Sequence, residues 1–144
     1  MTPCRLIYRS IAKKQTLASG PLSKLSNAAS NNNRRLGIHG ILVLSYNRFL
    51  QLLEGPSQFV NELFCKIVKD PRHDQVELLS YESIVQPEFI DWSMYFLELD
   101  KIDPSIRSLL SKKYPIKNDK FEFPNESFLM TSLLLDLKHI FNDK

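Results

Sequence analysis

The order of hydrophobic and polar positions divides the chain into short alternating runs and longer stretches with helical spacing. Residues 4–10 alternate as a strand, with Leu6 and Tyr8 on one face and Arg5, Ile7 and Arg9 on the other. Residues 13–21 are polar and read as a connection. In residues 22–30, Leu22, Leu25 and Ala29 recur at helical spacing behind a Ser19-Gly20-Pro21 start signal. The Asn31-Asn32-Asn33 run is expected to end that helix, because Asn readily takes turn and left-handed conformations. Residues 36–44 and 48–55 read as two strands of a hairpin joined by Ser45-Tyr46-Asn47. A second helix starts at Gly55-Pro56, presents Phe59, Val60, Leu63, Phe64, Ile67 and Val68, and stops at Asp70-Pro71-Arg72-His73. Residues 76–84 and 92–99, on either side of Pro87, read as fourth and fifth strands. Alternation predicts Trp92, Met94 and Phe96 on one face of the fifth.

The resulting order, β-α-β-β-α-β-β, predicts an α+β fold of the ferredoxin-like kind: a five-stranded sheet, antiparallel or mixed, with two helices on one face. After Leu99 the character changes. A short helix over 102–114 starts near Asp103-Pro104, a polar linker covers 115–124, and an apolar helix covers 125–141. Leu129, Leu133, Leu134, Leu137, Ile140 and Phe141 cannot all face water. The extension is therefore expected to cap the bare face of the sheet or to form an oligomer interface. The expected organisation is a domain over 1–100 and a C-terminal helical extension over 101–144.

Composition narrows the class. The chain has 144 residues, 43% of them hydrophobic and 24% charged, which suits one globular domain with a full core. No apolar run approaches the roughly 20 residues that span a bilayer, and the N-terminus lacks a secretory apolar region. Cys4 and Cys65 stand far apart with no metal-ligand spacing, so two reduced thiols in a cytoplasmic protein are expected. The net charge of +3 is unevenly distributed: no Asp or Glu precedes Glu54, so residues 1–53 carry +8 and the remainder −5. That field would favour a phosphate-bearing ligand or an acidic partner, although a solvated basic surface fits equally well. The basic residues are dispersed and lack aromatic interleaving, which argues against nucleic acid.

One residue breaks the apolar run of the third strand. Gln51 shares a face with Phe49 and Leu53, where a core residue is expected, and a buried amide needs partners. Tyr8 on a neighbouring strand, Asn32 and Asn33 at the end of the first helix, and Trp92 and Met94 on the fifth strand are the candidates to surround it. A planar heterocycle with carbonyls and ring nitrogens would satisfy these groups, with Leu25 and Ile67 sandwiching its rings. Taken singly, each residue also fits an ordinary role in packing, capping or turns.

Taken together, the motifs resemble the BLUF family, the blue-light sensors that use FAD. They are Arg5-Leu6-Ile7-Tyr8, Asn32-Asn33-x-x-x-Gly37-Ile38-x-Gly40-x-Leu42, Phe49-x-Gln51-x-x-Glu54-Gly55, Asp70-x-Arg72-His73 and Trp92-Ser93-Met94. The short length and helical tail are similar to the stand-alone cyanobacterial phototaxis sensors of that family. The resemblance implies that Tyr8 donates an electron and a proton to excited FAD, and that Gln51 bridges Tyr8 and the flavin and rearranges after illumination. It implies that Asn33, with Asn32 beside it, holds the polar edge of the ring, and that Leu25 and Ile67 flank it. Arg72 and His73 would lie near the ribityl-phosphate side, supported by Asp70. Trp92 and Met94 would couple the site to the fifth strand and the tail. One position departs from the family pattern: His39 stands where the Gly-Ile-Thr-Gly motif has Thr, and is expected to be an exposed or half-buried imidazole.

The expected function is a non-enzymatic photoreceptor signalling to a protein partner, for which a response-regulator-like protein is one candidate. A homo-oligomer, dimer or larger ring, is expected through the sheet face or the C-terminal helices. Two other readings are a small acylphosphatase-like enzyme and a flavin-less oligomeric adaptor. Against the enzyme, His39, His73 and His139 have no convergent carboxylate or cysteine motif.

Overall fold

The computed structural model describes residues 2–18, 31–114, 116–117 and 120–142. Its elements are β1 (Pro3–Ala12), α1 (Lys14–Ala18), the helical residues 31–36 (α2), β2 (His39–Ser45), β3 (Arg48–Pro56) and α3 (Ser57–Val68). They are followed by β4 (His73–Ser83), β5 (Tyr95–Glu98), a 3-10 turn (Leu99–Lys101), α4 (Pro104–Ser111), the short strands β6 (Ile116–Lys117) and β7 (Lys120–Phe121), and α5 (Ser127–Asn142). The main sheet has the order β4-β1-β3-β2-β5. All of its pairs are antiparallel except β2 with β5. This is the expected mixed five-stranded ferredoxin-like arrangement.

Strand alternation divides the core into two layers. On the front face, Leu6, Tyr8 and Leu53 pack with Val60, Phe64 and Ile67 of α3. On the back, Ile7, Ile41, Leu50 and Leu52 pack with Leu110 of α4 and Met130, Leu133, Leu134 and Leu137 of α5. The tail helices thus cap the bare face of the sheet, the first of the two fates expected for them. Pro104 begins α4, and the Asp103 carboxylate accepts from the Ser105 N–H at 2.9 Å, a side-chain cap that satisfies an otherwise open amide. The Tyr114 hydroxyl ties α4's end to α5 by donating to Asp136 Oδ2 at 2.5 Å.

Several local expectations need correction. The connection over 13–21 contains α1, and the helix expected over 22–30 falls outside the described residues, Leu25 with it. Asn31, Asn32 and Asn33 are helical and do not terminate the helix. The end comes at Gly37, whose φ of 72° is left-handed. The Ile38 N–H reaches back to Asn33 O at 2.9 Å and the Gly37 N–H to Arg34 O at 3.3 Å, a Schellman cap in which Gly avoids the Cβ clash. β4 begins at His73, earlier than expected, with Gln75 at φ 51° where its register against β1 slips.

The fifth strand is shorter than its sequence suggests. Only Tyr95–Glu98 are paired, so Trp92 and Met94 lie in the irregular segment before it and strand alternation does not govern them. Met94 enters the front core, whereas Trp92 enters the back core and stacks on Tyr95 with ring centroids 4.5 Å apart. The two do not share a face.

Candidate functional site

The register of the central strands places Tyr8 directly opposite Gln51, and Gln51 opposite Leu42, in one row across β1, β3 and β2. Tyr8 is 3% and Gln51 7% exposed. The Tyr8 hydroxyl donates to Gln51 Oε1, and Gln51 Nε2 donates to Met94 Sδ at 3.3 Å. The amide that interrupts the apolar run is thus held at both ends, by a phenol on one strand and a thioether from the segment before β5. Burial raises the Tyr8 pKa well above that of an ordinary phenol; the Asp70 charge raises it further, and Arg72 partly offsets both. Tyr8 is a neutral donor at physiological pH.

These groups form one wall of a cavity of about 280 Å³ between the sheet and α3. Leu63, Lys66, Ile67 and Asp70 line it from α3 and the turn that follows, at the i, i+3, i+4, i+7 spacing of one helical face. Asn32 and Asn33 close it from α2. Asn33 is 2% exposed, and its carboxamide reaches Ser93 O at 3.5 Å, while Asn32 Oδ1 accepts from Arg35 at 3.0 Å. Arg72 stands at the rim, its guanidinium bound to the Asp70 carboxylate and its backbone N–H donating to Asp70 Oδ1 at 2.9 Å. Those hydrogen bonds hold the Asp70 pKa below the usual carboxylate value and raise that of Arg72. A neighbouring hollow shares Lys66, Asp70 and Arg72 with the cavity and adds Lys69.

His73 is placed differently from its neighbours. It is buried, with Nε2 2.6 Å from Ile67 O and Nδ1 2.7 Å from Ser10 Oγ. A carbonyl only accepts, so Nε2 carries the proton and Nδ1 accepts from the serine hydroxyl. Both nitrogens are engaged, and the ring serves as a wall beside Tyr8 and Phe49, at centroid distances of 6.2 and 6.4 Å.

Of the residues singled out from the sequence, Tyr8, Asn32, Asn33, Gln51, Ile67, Asp70, Arg72, His73 and Met94 meet at this cavity. Trp92 does not. Thr16, Leu42, Phe49, Leu63 and Lys66 also line it but were not among those assignments. Helical spacing back from Ile67 and Asp70 would have found Leu63 and Lys66. Thr16, whose hydroxyl donates to Arg72 O at 2.7 Å, sits on the unforeseen α1 and left no such signal. His39 is half-buried, as expected. Its Nδ1 is enclosed without a hydrogen bond, the only such side-chain atom among the described residues.

A flat ring system fits these surroundings. Leu42, Phe49, Leu63, Ile67 and Met94 give it apolar surface, the carboxamides of Asn33 and Gln51 line it, and the cations Lys66 and Arg72 suit a phosphate-bearing tail. The described residues hold no grouping of His, Cys, Asp and Glu suited to a metal. No helix among them is long and apolar enough to cross a membrane.

Known proteins agree with this geometry. The β subunit of the photoactivated adenylate cyclase of Euglena gracilis is 31% identical over 91 residues, 62% of this chain but 11% of that protein. The chain therefore spans about a tenth of the length of such curated relatives. Among solved structures, the dark state of the BLUF protein BlrB matches with a TM-score of 0.64 and 32% identity, over 78% of this chain and 86% of that one. The photo-activated state of BlsA matches with a TM-score of 0.69 and 27% identity, over 92% and 94%. Residues 4–95 match the family described as sensors of blue-light using FAD. The chain belongs to that family, BLUF, the sensors of blue-light using FAD.

Proposed function

We propose that Tyr8, Gln51 and Met94 form the switch of this sensor. The observation that carries the reading is the chain of hydrogen bonds from the Tyr8 hydroxyl through the Gln51 carboxamide to Met94 Sδ, along the wall of a ring-sized cavity. FAD, when bound, supplies the absorption of blue light and an excited-state electron acceptor. Tyr8, neutral and dry, is the donor of the electron and of the proton at its hydroxyl. Gln51 presents an acceptor to Tyr8 and a donor to Met94, so a half-turn of its carboxamide turns the Tyr8 contact round, with the phenol oxygen now the acceptor, and breaks the bond to Met94. In a site without bulk water neither end is readily satisfied by solvent, which makes the two orientations distinct states.

Asn33, with Asn32 beside it, holds the ring's polar edge; Ile67 flanks the ring, as Leu25 would from the other side. Arg72, oriented by Asp70, lies by the ribityl-phosphate chain, and His73 walls that end. Trp92, on the back face, belongs to the output path and not to the flavin pocket. The output is a downstream protein partner of the response-regulator kind, reached through the tail helices, in a homo-oligomer. Relatives in which the same module belongs to an adenylate cyclase support a protein effector. The test is optical. Purified protein is expected to be yellow with a small reversible red shift under blue light, and Tyr8→Phe to retain FAD and lose the shift. A variant that cycles normally would remove Tyr8 from its role.

A further inference from the structure

The strand that carries Gln51 also carries a charged residue that the photochemistry does not use. Glu54, three positions on, is 0% exposed and lies on the back face of β3. Its Oε2 accepts from Arg5 Nε at 2.8 Å and Arg5 Nη2 at 2.6 Å. Its Oε1 accepts from the backbone N–H groups of Glu88 at 2.9 Å and Phe89 at 2.8 Å. A lone carboxylate at this depth would be strongly disfavoured, and four hydrogen bonds, two of them from a guanidinium, make it tenable. Removing the carboxylate alone would leave the Arg5 guanidinium and two backbone amides without their acceptor, so Glu54 fixes all three at one place.

That geometry concerns the irregular segment 84–94 between β4 and β5. Lacking a strand ladder, its path depends on individual hydrogen bonds. The Glu54 carboxylate holds its middle, and the Gly40 N–H donates to Trp92 O at 2.9 Å near its end. From there the segment delivers Trp92 to the back core and Met94 to Gln51. The Glu88 carbonyl also accepts from Lys138 Nζ of α5, which joins the same clasp to the tail.

We propose that Glu54 is a positioning residue of the light switch: its carboxylate, bound to Arg5, clasps the amides of Glu88 and Phe89 and so sets where Met94 meets Gln51. Because Gln51 and Glu54 share one strand, the switch amide and the segment that answers it are referred to the same rigid element. The inference deepens the proposed function and rests on it for the role of Met94.

The test uses the full chain loaded with FAD. In Glu54→Gln the carboxamide cannot accept from Arg5 and from the two amides together, although its shape is kept. FAD and the red shift are expected to remain, because the front cavity is untouched. Recovery in the dark is expected to slow by about tenfold or more, because a loosened segment must find the Met94 seat again. Acrylamide should also quench the fluorescence of Trp92, the chain's only tryptophan, more strongly. Glu54→Asp, with its carboxylate drawn back by one methylene, should fall between. In the wild type, amide exchange should find Glu88 and Phe89 protected relative to Val85 and Ile90, a readout that survives if the variants do not fold. Glu54→Gln with wild-type recovery and quenching, or unprotected amides in the wild type, would overturn the clasp. A wild type that never photoshifts would instead sink the proposed function, and exchange and quenching would still decide the clasp.

Discussion

At the scale of single residues, a buried amide has few alternative partners. Gln51 has Tyr8 at one end and Met94 at the other, and removing either partner leaves a polar atom short in a dry site. Gln51→Leu is expected to lower stability by about 1–3 kcal/mol, because the Tyr8 hydroxyl loses its acceptor, and thermal or urea unfolding reads that loss. Met94→Leu keeps the volume and removes the sulfur. It should retain FAD and the red shift while changing the dark recovery rate; recovery unchanged from the wild type would mean that Met94 only packs. The raised pKa of Tyr8 sets the pH behaviour. Its neutral form contributes stability that is fully present below the ordinary phenol value of about 10 and lost as pH rises through the higher folded value. The amplitude of the red shift should therefore be flat from neutrality to about pH 10, as measured by difference absorption at each pH. A midpoint near neutrality would show that another group controls the switch.

At the scale of elements, α5 acts as the lid of the back core, not as a free amphipathic surface. Leu133 is 0% exposed there, and Leu133→Ala is expected to cost about 2–5 kcal/mol by calorimetry or denaturant melting. Truncation after Asp100 would bare Ile41, Leu50 and Leu52, so precipitation or loss of cooperative melting is the expected result. The sequence made this layer legible because the period of α5 and the alternation of β1 and β3 each fixed a face. It also made the Tyr8–Gln51 pair legible, since both sit on parity-defined positions of regular strands. What it hid lies where no period applies. Trp92 and Met94 share a parity, yet the segment before β5 is not a strand and sends them to opposite layers. The Asn run does not end its helix, because the left-handed Gly37, four residues past Asn33, supplies the cap instead. Glu54 stands in a quoted motif, but its partners were not legible, because they are an arginine 49 residues earlier and two backbone amides beyond Pro87.

At the scale of the whole molecule, the sheet separates a front layer that holds the site from a back layer that holds the tail, and β3 belongs to both. Leu50 and Leu52 face the tail helices while Gln51 between them faces the cavity. A change at Gln51 thus lies one strand thickness from the helices that would address a partner. The charge asymmetry reads differently at this scale. Arg5 and Arg9 are engaged by Glu54 and Glu77, and the cations in and beside the cavity, Lys66, Lys69 and Arg72, lie beyond residue 53, outside the basic N-terminal segment. The proposed light switch is the Tyr8–Gln51 contact. Its most direct test is the light-minus-dark absorption spectrum of the FAD-loaded wild type recorded beside Gln51→Leu. A reversible red shift is expected in the wild type and none in the variant, with FAD bound in both. An equal shift in the two would contradict it.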